Sequence, residues 1–101
     1  MAEGPRLPRK ATTLRRLRES LEGIAYQIGV LLNIQRNRAR ITQWDLGNEL
    51  DIDQVDISRL ENGEPAAVSD AKVDRLFRRL DLPADGAHAN FVKWWRDNST
   101  L

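Results

Sequence analysis

The stretch TQWDLGNELDIDQVDISRLENG, from Thr42 to Gly63, holds two short helical patterns with only three residues between them. In the first, which starts at Thr42, Leu46 and Leu50 share a face, and Gly47 beside Leu46 leaves room for a second helix to come close. Asp51, Ile52 and Asp53 then interrupt the pattern: Asp51 tolerates the left-handed backbone of a sharp turn, Ile52 is apolar enough to plug the corner, and Asp53 caps the next helix. The second pattern, Gln54 to Asn62, ends at Gly63, a residue type that helix ends prefer just past their last turn. Two helices joined by so short a turn cannot lie antiparallel. They cross steeply and the second is left protruding, a shape that suits a major groove.

Projected at about 100° per residue, the second helix turns Ile57 and Leu60 inward with Glu61 beside them, and Gln54, Val55, Ser58, Arg59 and Asn62 to the other side. Gln54 offers the paired donor and acceptor that match adenine N6 and N7, Val55 can meet a thymine methyl, and Arg59 can pair with guanine or reach a phosphate. Each of these residues is also common on exposed helices that bind nothing; their convergence on a protruding helix is what points to DNA.

The pattern T-Q-x-x-L-G-x-x-L-x-I-x-Q-x-x-I-S-R-L-E-N-G resembles the Cro/C1-type (XRE-like) helix-turn-helix DNA-binding family, the domain of lambdoid phage repressors and many small bacterial regulators, over roughly residues 31–82. The resemblance implies an all-α fold, a compact lambda repressor-like bundle of about five helices, here with an N-terminal helical extension. It further implies a structural pair between Arg36 and Glu61, and phosphate contacts from Gln43 and Asn62, which set register rather than sequence. Three residues depart from the family pattern. Asp51 stands where Gly is common, and Asp56 and Glu64 place negative charge where neutral or basic residues are usual. A first-turn Asp56 suits the helix dipole, whereas Glu64 should weaken non-specific affinity.

With 101 residues the chain supports one domain, expected over residues 12–101 behind a flexible basic arm at 1–11. Arg6, Arg9 and Lys10 in that arm are either part of a disordered terminus or further phosphate contacts reaching a neighbouring groove. Cys is absent, and the lone His88 cannot build a metal site, so no disulfide, metal or other cofactor is expected. No apolar run approaches membrane-spanning length, and a cytoplasmic location with no membrane partner follows. The net charge of +1 hides an asymmetry: residues 1–40 carry +6 and residues 41–101 carry −5. Attraction to phosphate must come disproportionately from the first forty residues.

Upstream, Thr12 or Thr13 can cap a helix from Leu14, along which Leu14, Leu17, Leu21, Ile24, Ile28, Leu31 and Gln35 form a heptad seam. Gly23 and Gly29 lie off the seam, each costing about 1 kcal/mol against Ala. The seam is expected to pack on the chain's own helices, with a dimer contact through Leu14, Leu17 and Leu21 as the alternative. Downstream, Ser69 caps a helix whose Val73, Leu76, Phe77 and Leu80 share a face, Pro83 to Gly86 breaks the chain, and Ala87 to Asn98 carries Phe91, Trp94 and Trp95 at helical spacing. These aromatics read as core, with Trp94 and Trp95 in a dimer interface as the sharper alternative. Trp44 sits on the outside of the first motif helix, where its ring can shield the core, stack against the aromatic C-terminal segment or meet a partner.

The expectation is a sequence-specific DNA-binding transcriptional regulator, a small phage- or plasmid-type repressor that binds double-stranded DNA as a homodimer on a two-fold operator. The alternative is a protein-interaction module on the same fold, antitoxin- or antirepressor-like, with weak DNA affinity. No catalytic constellation is legible, so no enzyme is expected, and too little chain remains outside the motif for a small-molecule pocket.

Overall fold

The computed structural model describes the backbone of residues 9–100 and the side chains from Thr12 onward. Five helices and no strand occur among the described residues: α1 Arg9–Arg38, α2 Gln43–Leu50, α3 Gln54–Glu61, α4 Asp70–Arg79 and α5 Ala87–Asn98. The fold is all-α. None of these helices is long and apolar enough to cross a membrane.

Local chemistry sets most of the boundaries. Thr42 and Ser69 accept from the backbone N–H of Asp45 and Lys72 to open α2 and α4, and Asp53 accepts from Val55 to open α3. Asp51 closes α2 in the left-handed region at φ 56°, and Gly63 follows α3 at φ 76°. The N-terminal helix departs from expectation. It begins at Arg9, so Thr12 and Thr13 lie within it rather than capping it, and residues 9–11 are helical rather than part of an arm.

The core joins the second half of α1 to the other four helices. Ile28 and Leu32 from α1, Leu46 from α2, Ile57 and Leu60 from α3, and Val73, Leu76 and Phe77 from α4 are buried together, with Ile52 plugging the α2–α3 turn. Gly29 lets α1 close on α3, since a Cβ there would stand 2.5 Å from the Glu61 carbonyl oxygen. Across the other side, Lys93 pairs with Asp74 at 2.6 Å, and Arg96 meets Asp70 at 2.9 Å and the Val68 carbonyl at 2.7 Å, tying α5 to α4 and the loop before it.

Two packing expectations need correction. The heptad seam is buried in full only at Ile28: Leu14 is 53%, Leu17 47% and Ile24 42% exposed, Leu21 is half-buried, and the molecule measures 62 × 23 × 22 Å because the first half of α1 projects past the body. The reason is length. A 30-residue α1 spans about 45 Å, whereas helices of 8 to 12 residues span about 12–18 Å and cannot flank all of it. Trp95 is core, 5% exposed and stacked on Phe91 with ring centroids 5.9 Å apart, so of the two tryptophans only Trp94 presents a broad face to the surface.

Candidate nucleic-acid interface

The angle between α2 and α3 is enforced from inside. Ile52 donates its N–H to the Gly47 carbonyl at 2.9 Å, and a Cβ on Gly47 would stand 2.5 Å from the Ile52 carbonyl oxygen, so only glycine admits this turn. With Ile57 and Leu60 buried, α3 has one rotational setting. That setting leaves Gln54, Val55 and Arg59 exposed and Ser58 half-buried, with Asn62 exposed just past the last turn.

Arg59 is only lightly held. Its Nη1 stands 3.8 Å from Asp56 Oδ1, an exposed ion pair of the kind worth about 0–1 kcal/mol, which a guanine or a phosphate can displace. Asp56 therefore flanks the reading face rather than occupying it. Glu64 is exposed immediately beyond, its N–H donating to the Arg59 carbonyl at 2.8 Å to close the helix end.

Beneath the reading face lies a polar knot. The Arg36 guanidinium grips Glu61 twice, Nε to Oε2 at 2.6 Å and Nη2 to Oε1 at 3.0 Å, while its Nη1 reaches the Ile41 carbonyl at 2.9 Å. Asn33 donates to Glu61 Oε1 at 2.7 Å, and Gln43 donates to the same oxygen at 3.1 Å. Burial alone would raise the Glu61 pKa, but the hydrogen bonds from Arg36, Asn33 and Gln43, with the Arg36 charge, outweigh it and hold the carboxyl below its ordinary value. A single carboxylate thus binds α1, α2 and α3 together. It also aims Gln43: one amide hydrogen goes to Glu61, leaving a second donor on the same nitrogen for an outside acceptor.

Of the residues expected at phosphates, Gln43 and Asn62 lie at the start of α2 and the end of α3. Arg6 lies outside the described residues, as do the side chains of Arg9 and Lys10. Two features were not foreseen, and Trp44 stands on the outside of α2 as expected. Arg38 and Arg40 are both exposed in the few residues before α2, within five positions of Gln43, and a basic pair just ahead of a capped helix was the available signal. Asn33 completes the Glu61 knot from a position one turn before Arg36. Trp44, 61% exposed, forms one wall of an open cleft with Asn48, Ile52, Asp53, Gln54 and Val55, and so borders the start of α3.

A family model described as a helix-turn-helix domain matches residues 27–89. The chain belongs to the helix-turn-helix domain family. The matched residues contain the whole knot, α2, α3 and α4, and leave the projecting half of α1 and most of α5 outside. Neither a search of curated proteins nor one of solved structures returned a match to this helix-turn-helix chain.

Proposed function

We propose that this helix-turn-helix protein is a sequence-specific DNA-binding regulator of the Cro/C1 (XRE-like) type, a small phage- or plasmid-type repressor that acts as a dimer on a two-fold operator. The observation that carries the reading is the partition of α3: its apolar side is locked by Gly47, Ile57 and Leu60, and what remains outward is a set of base-edge chemistries. Gln54 is matched to adenine, Val55 and the Trp44 wall to a thymine methyl, and Arg59 to guanine, with Ser58 between them. Gln43, Asn62, Arg38 and Arg40 supply phosphate contacts around that face, and Arg6, Arg9 and Lys10 are candidates for others. One eight-residue helix spans too few base pairs for useful selectivity, and two-fold pairing doubles the contacts. An operator overlapping a promoter then represses by exclusion.

Selection of bound sites from a random DNA pool tests this directly. Enrichment of a two-fold sequence is expected, and Gln54→Ala with Arg59→Ala should remove the enrichment, each base readout removed costing about 1–3 kcal/mol of discrimination. Both residues are outside the core, so thermal stability should not change. An unaltered preference in the double variant would overturn the reader assignment. Failure to bind any DNA even at low salt would instead favour the protein-interaction reading, for which exposed Glu64 and the Asp56–Arg59 pair are the motivating features.

A further inference from the structure

We propose that Trp44, which belongs to α2 and not to the reading helix, is a specificity determinant: its ring and Val55 are the apolar walls of a seat for the 5-methyl group of one thymine. The inference rests on the DNA-binding reading and names a contact within it.

The surroundings of the ring remove its other roles. A cover for the core would be buried, and Trp44 is 61% exposed, whereas Leu46 on the same helix is sealed at 0%. A member of an aromatic stack would meet another ring, and the ring pairs among the described residues join only Phe91, Trp94 and Trp95 within α5. A partner remains. Val55, 55% exposed at the start of the next helix, lines the same open cleft as Trp44. Two exposed apolar side chains from successive helices make a patch rather than scattered single residues, and such patches mark contact sites.

What covers the patch follows from its neighbours. Gln54 and Val55, the first two residues of α3, share the cleft with Trp44, Asn48, Ile52 and Asp53, so it opens where the reading helix begins. Gln43, which keeps an amide hydrogen beyond the one it gives to Glu61, immediately precedes Trp44. The ring therefore stands between a group suited to the DNA backbone and one suited to a base edge. Of the groups that base pairs present in the major groove, the thymine methyl is the apolar one. Deoxyribose also has apolar faces, but it is common to every nucleotide and carries no sequence information. Val55 adjoins Gln54 on the first turn of α3, among residues turned toward base edges, and this decides for the methyl. The acid in the cleft does not oppose it: Asp53 Oδ1 accepts from the Val55 N–H at 2.8 Å, at a helix start where the dipole favours a carboxylate.

Such a seat differs from a phosphate contact in two ways. It discriminates against deoxyuridine, which keeps every hydrogen-bonding group of thymine and lacks only the methyl. It works by burying apolar surface, so its preference does not follow salt.

The test uses the full chain and a duplex selected from a random pool. Each thymine in turn is replaced by deoxyuridine, and affinity is read from the anisotropy of labelled duplex over about 50–200 mM salt. One thymine, adjacent to the adenine at which Gln54→Ala loses discrimination, should be sensitive. There wild type should bind the deoxyuridine duplex about fourfold more weakly at every salt concentration, the loss for one buried methyl. Trp44→Ala should bind the two duplexes equally, and should melt with wild type because the ring is outside the core. A selected site at which no deoxyuridine weakens binding overturns the seat and leaves DNA binding in place. A thymine preference that Trp44→Ala retains also overturns it, and a uniform loss of affinity in that variant would put the ring on deoxyribose instead. Absence of binding to any duplex at low salt overturns the seat and the DNA-binding reading together.

Discussion

Glu61 is the residue on which the motif's geometry depends most. Its carboxylate is buried and accepts from Arg36, Asn33 and Gln43, so removing Arg36 leaves a buried charge with only neutral partners. Breaking such a pair from one side costs about 3–5 kcal/mol, whereas removing both partners costs less than the two single changes added together. Arg36→Ala, Glu61→Ala and the double variant, compared by urea unfolding, should show that non-additivity. The pH dependence has a definite sign. A carboxyl held below its ordinary value in the folded state contributes stability that is fully present above the unfolded value, about 4.3, and is lost as pH falls through the folded one. The advantage of wild type over Glu61→Gln should accordingly be constant from neutral pH down to about 5 and shrink below about 4. A difference that stays constant down to about pH 2 would mean that the carboxylate charge is not what the knot uses.

At the scale of the element, the two glycines of α1 behave in opposite ways. A Cβ at Gly23 meets nothing within 4 Å, but one at Gly29 stands 2.5 and 2.6 Å from the backbone carbonyl oxygens of Glu61 and Leu60, which cannot step aside without moving α3. Gly23→Ala should stabilise by up to about 1 kcal/mol through helix propensity, while Gly29→Ala should destabilise by about 1–3 kcal/mol despite the same gain; calorimetric melting of the two variants decides it. The pair also marks what the amino-acid sequence discloses and what it hides. The turn at Asp51, the caps at Asp53 and Ser69, and the inward set Ile57 and Leu60 were legible because each follows from chemistry within a few residues. Gly29 was read only as a cost, because its value depends on a carbonyl 32 positions downstream. The seam was legible as a heptad, but where its cover ends depends on the lengths of four other helices. Arg36 and Glu61 were paired through a family resemblance; Asn33 and Gln43, which share the same oxygen, carry no local signature of it.

Over the whole molecule the charge is unevenly available. Of the nine Lys and Arg in residues 1–40, Arg36 is committed to Glu61, and Arg15, Arg16 and Arg18 lie on the projecting half of α1. Within the body, which is itself acidic, Arg38 and Arg40 are exposed and stand just ahead of α2 in the sequence, where Gln43 keeps one amide hydrogen beyond the one it gives to Glu61. If DNA lies across α3, these two arginines sit at the edge of the interface and meet the backbone rather than a base. Their removal should then weaken binding by a similar factor on every sequence, and should flatten the dependence of log affinity on log salt by about 0.9 for each phosphate no longer neutralised, about 1.8 for both. Titrations of Arg38→Ala/Arg40→Ala against a selected site and an unrelated duplex, each over about 50–200 mM salt, separate the outcomes. A smaller slope with an unchanged ratio between the two duplexes places the arginines on phosphate. A changed ratio moves them into the reading face, and an unchanged slope returns the burden of attraction to the basic residues further along the N-terminal segment.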